Sequence, residues 1–279
     1  MKDMTTILVT TDFSTNSKAG IRFALQLAAQ TPCKLVFYHA LELLTPTAWR
    51  KEDAIKFVEN AVKKVNKELD SFIKPIFKQT KIQPNTYENV VDIGIGVDSM
   101  IVNYAKEIQA DYICMCTRGA GILKKIIGTN ASTLVNTSPI PVIVVPHNYR
   151  IKPITKVGYA SDFENIDKEL KAVITFATAL NAPVEVYHFY YQLHKTDNKE
   201  AFEAIKTKYE SEKVTFLVPK LQLADSLVKN LQHAVENKKP TLLVMFTKYK
   251  TNWFERFFFE SKTAEMTYDI KIPLLAIRK

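Results

Sequence analysis

"TTILVTTDFS" (Thr5–Ser14) decides the fold, because the chain uses it twice. An apolar, β-branched run ends at Asp12 and passes through small polar residues into a helical pattern. "ITKVGYASDFE" (Ile154–Glu164) repeats those events with Asp162 in the place of Asp12. Three more landmarks follow in the same order. "KLVFYHA" (Lys34–Ala40) returns as "VEVYHF" (Val184–Phe189), pairing His39 with His188. "YICMCTR" (Tyr112–Arg118) returns as "LLVMFTK" (Leu242–Lys248), and "IPVIVV" (Ile140–Val145) returns as "IPLLAI" (Ile272–Ile277). Ordered self-similarity of this kind marks a duplicated unit. The spacing contracts by about a helix between the second and third landmarks, so the second copy is shorter there. "PHNYRIKP" (Pro146–Pro153) interrupts the pattern with Pro and polar residues, which sets the expected domains at 1–148 and 152–279.

Within the first copy, apolar runs at 7–11, 35–40, 90–93, 112–117 and 142–145 alternate with helical patterns at 17–30, 52–77, 99–109 and 130–136. Runs without strict alternation suit strands buried on both faces. Strands alternating with helices, joined by right-handed crossovers, give a parallel sheet between helical layers. The second copy predicts strands at 157–160, 184–188, 214–218, 242–246 and 274–277. The expected fold class is α/β: two similar domains, each a five-stranded parallel sheet flanked by helices.

Composition narrows the function. The 279 residues, 47% of them hydrophobic, can fill two cores, and no apolar run is long enough to span a bilayer. The expected compartment is the cytoplasm, with no membrane partner. The net charge of +9 is spread over both copies and interleaved with acids, as where Lys63, Lys64 and Lys67 precede Glu68 and Asp70. No nucleic-acid groove is expected from such a pattern. Cys114 and Cys116 lack the spacing of a zinc or thiol-redox pair and read as packing residues.

In an open parallel sheet, ligands gather beyond the carboxyl ends of the strands, where strand order reverses. Asp12 stands at such an end. It reads either as a turn carboxylate beside a helix capped by Ser14 or Asn16, or as an acceptor for a sugar hydroxyl or base amine. Five of the seven glycines, Gly94, Gly96, Gly119, Gly121 and Gly128, fall in one stretch. Gly119 and Gly121 follow the fourth strand, and Gly128-Thr129-Asn130 opens a helix whose first N–H groups favour an anion. Lys124 and Lys125 add positive charge. A flexible loop ending in a helix cap accounts for the same residues. No Walker-type loop, dinucleotide fingerprint or nucleophile–His–Asp grouping appears, and His39 and His188 read as strand-end structural residues.

With these residues assembled, the chain resembles the universal stress protein family in tandem form. "ILVTTDFS" is similar to the family's opening strand and Asp. "MCTRGAGILKKIIGTNASTLVNTSPIPVIVVP" is similar to its closing segment. The resemblance implies a Rossmann-like domain, related to the adenine nucleotide alpha hydrolases. In one branch it implies ATP, with Mg2+ beside it, on a Gly-x2-Gly-x9-Gly-Ser/Thr motif. Carried over, Asp12 and the backbone of Ala40 would hold the adenosine end, and Gly119, Gly128 and Thr129 the phosphates. Cys116 occupies the motif's first glycine, and eight residues, not nine, separate Gly119 from Gly128. In the second copy Tyr249, Glu260 and Ser261 replace the glycines and Thr, so that site is expected to hold no nucleotide. The run "NWFERFFFE" (Asn252–Glu260) reads as packing or an interface.

The expected function is a stress-response module that binds ATP or another adenine nucleotide in its first domain and acts through unidentified protein partners. The alternative is a nucleotide-free structural or signalling scaffold. Catalysis is not expected beyond slow ATP hydrolysis, since the S-G-G-x-D-S loop of the related ATP pyrophosphatases is absent. A homodimer, or an internal pseudo-dimer formed by the two final strands, is the expected assembly.

Overall fold

The computed structural model describes residues 4–44, 46, 48–117, 129–189, 199–210, 212–222, 224–247 and 272–279. The first copy folds as β1 (Thr5–Thr10), α1 (Lys18–Gln30), β2 (Cys33–Leu41), α2 (Lys51–Thr80), β3 (Thr86–Ile93), α3 (Val97–Glu107), β4 (Tyr112–Cys116), α4 (Thr129–Thr137) and β5 (Val142–Val145). The second follows as β6 (Val157–Ala160), α5 (Ile166–Ala179), β7 (Val184–Tyr187), α6 (Lys199–Lys208), β8 (Val214–Leu217), α7 (Leu227–Lys238), β9 (Leu242–Thr247) and β10 (Leu274–Arg278). Every expected strand is present. β3 begins four residues before its apolar run because it pairs only with β2, and an edge strand can carry polar residues such as Thr86 and Glu88.

The strands form one sheet, ordered β3-β2-β1-β4-β5-β10-β9-β6-β7-β8. Each half is parallel throughout and has the same internal order. They meet at β5 and β10, which are antiparallel, with Leu274 opposite Val144, Leu275 opposite Ile143 and Ala276 opposite Val142. The two final strands thus form the expected internal pseudo-dimer. Because that seam is antiparallel, the strands of the second half run opposite to those of the first. The carboxyl ends of the two half-sheets therefore open at opposite edges.

Alternate residues on each strand feed two cores. Ile7 and Val9, Cys114 and Cys116, and Ile143 and Val145 lie on one face with Tyr159, Val244 and Leu275. Leu8, Ile113, Met115, Val142 and Val144 lie on the other with Leu243, Met245, Leu274 and Ala276. Both clusters cross the seam without a break. Helices α1, α2, α5 and α6 cover the first face, and α3, α4 and α7 the second. Tyr112 and Phe176 add an edge-to-face contact between the halves, with ring centroids 5.5 Å apart. The three cysteines are buried and in no disulfide, as their packing role requires. Burial pushes the Cys33 thiol up to about 11 and the Cys114 thiol further in the same direction, which suppresses thiolate chemistry.

Strand β6 fits its place only because of one small residue. A Cβ on Gly158 would stand 2.7 Å from Cε2 of Tyr187 and 3.2 Å from Pro240. Tyr187 is fully buried and its hydroxyl donates to Glu185 Oε2 at 2.8 Å, so the ring cannot swing aside freely. Gly158→Ala should therefore cost about 1–3 kcal/mol of stability, an overpacking penalty measurable by chemical denaturation.

Candidate functional site

Strand order reverses between β1 and β4, since β1 is followed by β2 on one side and β4 lies on its other. Asp12 stands just beyond the carboxyl end of β1 and is exposed. A tight turn places it there. Phe13 takes a left-handed φ of 61° and its N–H donates to Thr11 Oγ1 at 3.1 Å, while the Ser14 N–H donates to Asp12 Oδ1 at 3.0 Å. Ser14 Oγ accepts from the Ser17 N–H at 3.1 Å, so Ser14, one of the two expected caps, serves the entry to α1. Asp12 is thus a turn carboxylate, standing beyond the carboxyl end of β1 at the switch point.

His39 closes the floor beneath this turn. Its Nδ1 lies 2.8 Å from the Thr11 carbonyl, and its ring packs 4.3 Å from Phe13, centroid to centroid. These contacts fit the structural role read from the sequence. Ala40 follows on β2, opposite Asp92 of β3 and two residues past Tyr38, the last partner of β1. The Tyr38 carbonyl accepts from the Thr11 N–H at 3.0 Å. Backbone polar groups alternate in direction along a strand, so those of Ala40 point to the same side, beyond the end of β1. Asp12 and the Ala40 backbone are thereby brought to one edge of the switch point. Thr129 is the first residue of α4, whose N-terminus favours an anion. Gly119, Gly121, Lys124, Lys125 and Gly128 lie outside the described residues, as do Tyr249, Glu260, Ser261 and the run Asn252–Glu260.

The second half rebuilds the same turn. Phe163 has a φ of 65°, its N–H donates to Ser161 Oγ at 3.1 Å, and the Glu164 N–H donates to Asp162 Oδ1 at 3.2 Å. His188 Nδ1 lies 3.4 Å from the Ser161 carbonyl and its ring 4.7 Å from Phe163. What differs is the fate of the carboxylate. Lys279, just past β10, places Nζ 2.5 Å from Asp162 Oδ2, 3.2 Å from Glu169 Oε1 and 3.6 Å from Glu164 Oε2. Glu169 is buried on α5, and the Tyr159 hydroxyl donates to its Oε2 at 2.5 Å. Phe202 of α6 stacks on Phe163 with centroids 5.4 Å apart. This cluster escaped the sequence reading, although Glu169 interrupts the apolar stripe of α5 between Ile166, Leu170 and Val173. A carboxylate in such a stripe signals a buried partner.

The universal stress protein family model matches residues 4–146. A universal stress protein from Archaeoglobus fulgidus has a similar structure, at 15% identity and a TM-score of 0.71, covering 98% of each chain. A putative universal stress protein from Pseudomonas aeruginosa aligns at 13% identity and a TM-score of 0.57, covering 99% of this chain and 94% of its own. No curated protein sequence matches the chain.

Burial works against the Lys279 charge, but Asp162 and Glu169 outweigh it and raise the Lys279 pKa above its ordinary value of 10.5. A raised pKa contributes stability that is fully present below the unfolded-state pKa and is lost as pH rises through the folded-state value. Lys279→Met should destabilise the protein by about 1–3 kcal/mol at neutral pH, leaving the buried Glu169 carboxylate without its cation. The gap between wild type and variant should close only above pH 10.5, as followed by chemical denaturation across pH.

Proposed function

The chain belongs to the universal stress protein family, and from that membership we propose that its first half binds ATP or another adenine nucleotide and acts through protein partners in the cytoplasm. One observation carries this reading. The two halves build the same Asp-Phe turn beside the same His at their switch points, and only the first keeps glycines in the sequence after its fourth strand. That combination supports a ligand role in the first half.

The residues fit an adenine nucleotide. An exposed carboxylate at a strand end accepts hydrogen bonds from a ribose hydroxyl or a base amine, and the Ala40 backbone stands next to it. Gly119, Gly128 and Thr129 take the phosphates, aided by the dipole of α4. Among the described residues no group of three His, Cys, Asp or Glu could hold a metal ion. Mg2+ enters with the phosphate oxygens, as it commonly does. Bound nucleotide shifts the protein between partner-binding states, and turnover is absent or slow. The second half supplies a scaffold and holds no nucleotide. Residues 1–148 and 152–279 are the corresponding domains.

Nucleotide released from the denatured pure protein, together with ATP titration by calorimetry, tests this. Wild type should bind, with tighter binding when Mg2+ is present. Asp12→Ala should weaken affinity about tenfold or more, the loss of a hydrogen bond to a charged group. Gly128→Val should abolish binding, and Asp162→Ala should leave it unchanged. Absence of released nucleotide together with no ATP affinity in wild type would leave the nucleotide-free scaffold as the function.

A further inference from the structure

Two buried hydroxyls brace the Asp12 turn. Thr11 and Ser17 are only 7% and 4% exposed, and their side-chain oxygens lie 2.8 Å apart. Counting protons fixes the direction of that contact. Ser17 Oγ lies 2.8 Å from the Ser14 carbonyl, which can only accept, so the single hydroxyl proton of Ser17 goes there. The Thr11 hydroxyl therefore donates to Ser17 Oγ, and its own oxygen accepts from the Phe13 N–H at 3.1 Å. The result is one directed chain, from the Phe13 N–H through Thr11 and Ser17 to the Ser14 carbonyl. It ties together residues on both sides of Asp12 in the sequence.

The anchor of this chain is itself fixed. The Thr11 N–H donates to the Tyr38 carbonyl at 3.0 Å, and the Thr11 carbonyl accepts from His39 Nδ1 at 2.8 Å. What the chain holds is a conformation that the sequence disfavours, since Phe13 carries a side chain at a φ of 61° and its N–H is the group that Thr11 Oγ1 receives. Strain of this kind persists only where the surroundings over-determine it, and it clusters at sites whose geometry serves a ligand. Stability alone gives no reason for hydroxyls here, because a buried hydrogen-bonded pair is worth little over apolar groups of the same shape. Direction is what the pair adds. The second copy keeps only half of the device. Ser161 Oγ accepts from the Phe163 N–H at 3.1 Å, as Thr11 Oγ1 does from Phe13. The position of Ser17, however, holds Asp167, whose carboxylate is engaged by Lys171, Lys208 and Tyr209.

We propose that Thr11 and Ser17 are positioning residues of the first-half site, their hydroxyl chain holding the Asp12 turn in the shape that presents its carboxylate to a ribose hydroxyl or base amine. This rests on the nucleotide-binding reading of the first half and names what preorganises its acceptor. Both hydroxyl protons are committed within the turn and both side chains are buried, so they act through Asp12 and not on the ligand. An acceptor ordered in advance spares the ligand the cost of ordering it, so the chain is read out in affinity.

Two measurements on the full-length chain test this, one without ligand and one with it. Without ligand, Thr11→Val removes the acceptor of the Phe13 N–H at nearly constant volume. Amide hydrogen exchange at Phe13 and Ser14, followed by NMR, should quicken about tenfold while the amides of β1 and β4 keep their protection. Ser17→Ala should act in the same direction. With ligand, each variant should lower ATP affinity about fivefold by calorimetry, and Thr11→Ser, which keeps the hydroxyl as Ser161 does, should retain the wild-type value. Beside Asp12→Ala neither change should matter, because no carboxylate is left to position. A merely structural role would lower affinity equally in both backgrounds. Unchanged exchange at Ser14 in Thr11→Val overturns the proposal whatever the protein binds, and so does an affinity loss that persists undiminished beside Asp12→Ala. A wild type without ATP affinity, in which the variants still quicken exchange, instead overturns the nucleotide-binding reading and with it the purpose assigned to the chain.

Discussion

The antiparallel pairing of β5 with β10 is the contact on which the rest of the molecule depends. Each half taken alone would end its sheet in a strand that is apolar on both faces and has one row of backbone groups unpaired, a combination that invites aggregation. Pairing Val142–Val144 with Leu274–Ala276 satisfies those groups and lets both cores run through the seam. Direction matters as much as adhesion. Since the strands reverse across the seam, the Asp12 and Asp162 turns open at opposite edges of a ten-stranded sheet. No single small ligand can reach both, and whatever happens at one mouth is sterically independent of the other.

That independence left the copies free to diverge. By the numbering of the repeat, Tyr159, Glu169 and Lys279 stand where the first half has Val9, Ala19 and His147. Two apolar residues have been exchanged for members of a buried ionic cluster, an exchange that seldom improves stability by itself. Its definite effect is to fasten β10 and α5 to the Asp162 turn. The first half keeps Val9 and Ala19 at two of those places, and its sequence keeps glycines after the fourth strand.

The fold was legible because duplication doubled every signal. A run such as Val184–Tyr187 is only four residues long, but its alignment with Lys34–Ala40 identified it as a strand. The joining of the two final strands was also foreseeable, since an apolar closing strand in each copy needs a partner. The site was legible only in outline. Asp12 and His39 announce themselves as residues at strand ends, whereas the left-handed Phe13 does not, because β-branched and aromatic residues rarely adopt positive φ. The Lys279 cluster joins residues more than a hundred positions apart, and no local pattern encodes such a contact.

Gln30, at the end of α1, accepts from the Ile154 N–H at 2.7 Å and donates from Nε2 to the Ile154 carbonyl at 3.0 Å. With Arg22 donating to the Tyr149 carbonyl at 3.2 Å, the segment that links the halves is held flat against the first of them. Such a segment is a strap and not a hinge. The peptide connection is then the least of the forces that keep the halves together, and its main effect is on stoichiometry. Tethering raises the effective concentration of one half for the other and makes each molecule a one-to-one pairing of unlike partners. Two separate chains with the same seam could assemble in mixed combinations. Joined, every molecule carries one of each half.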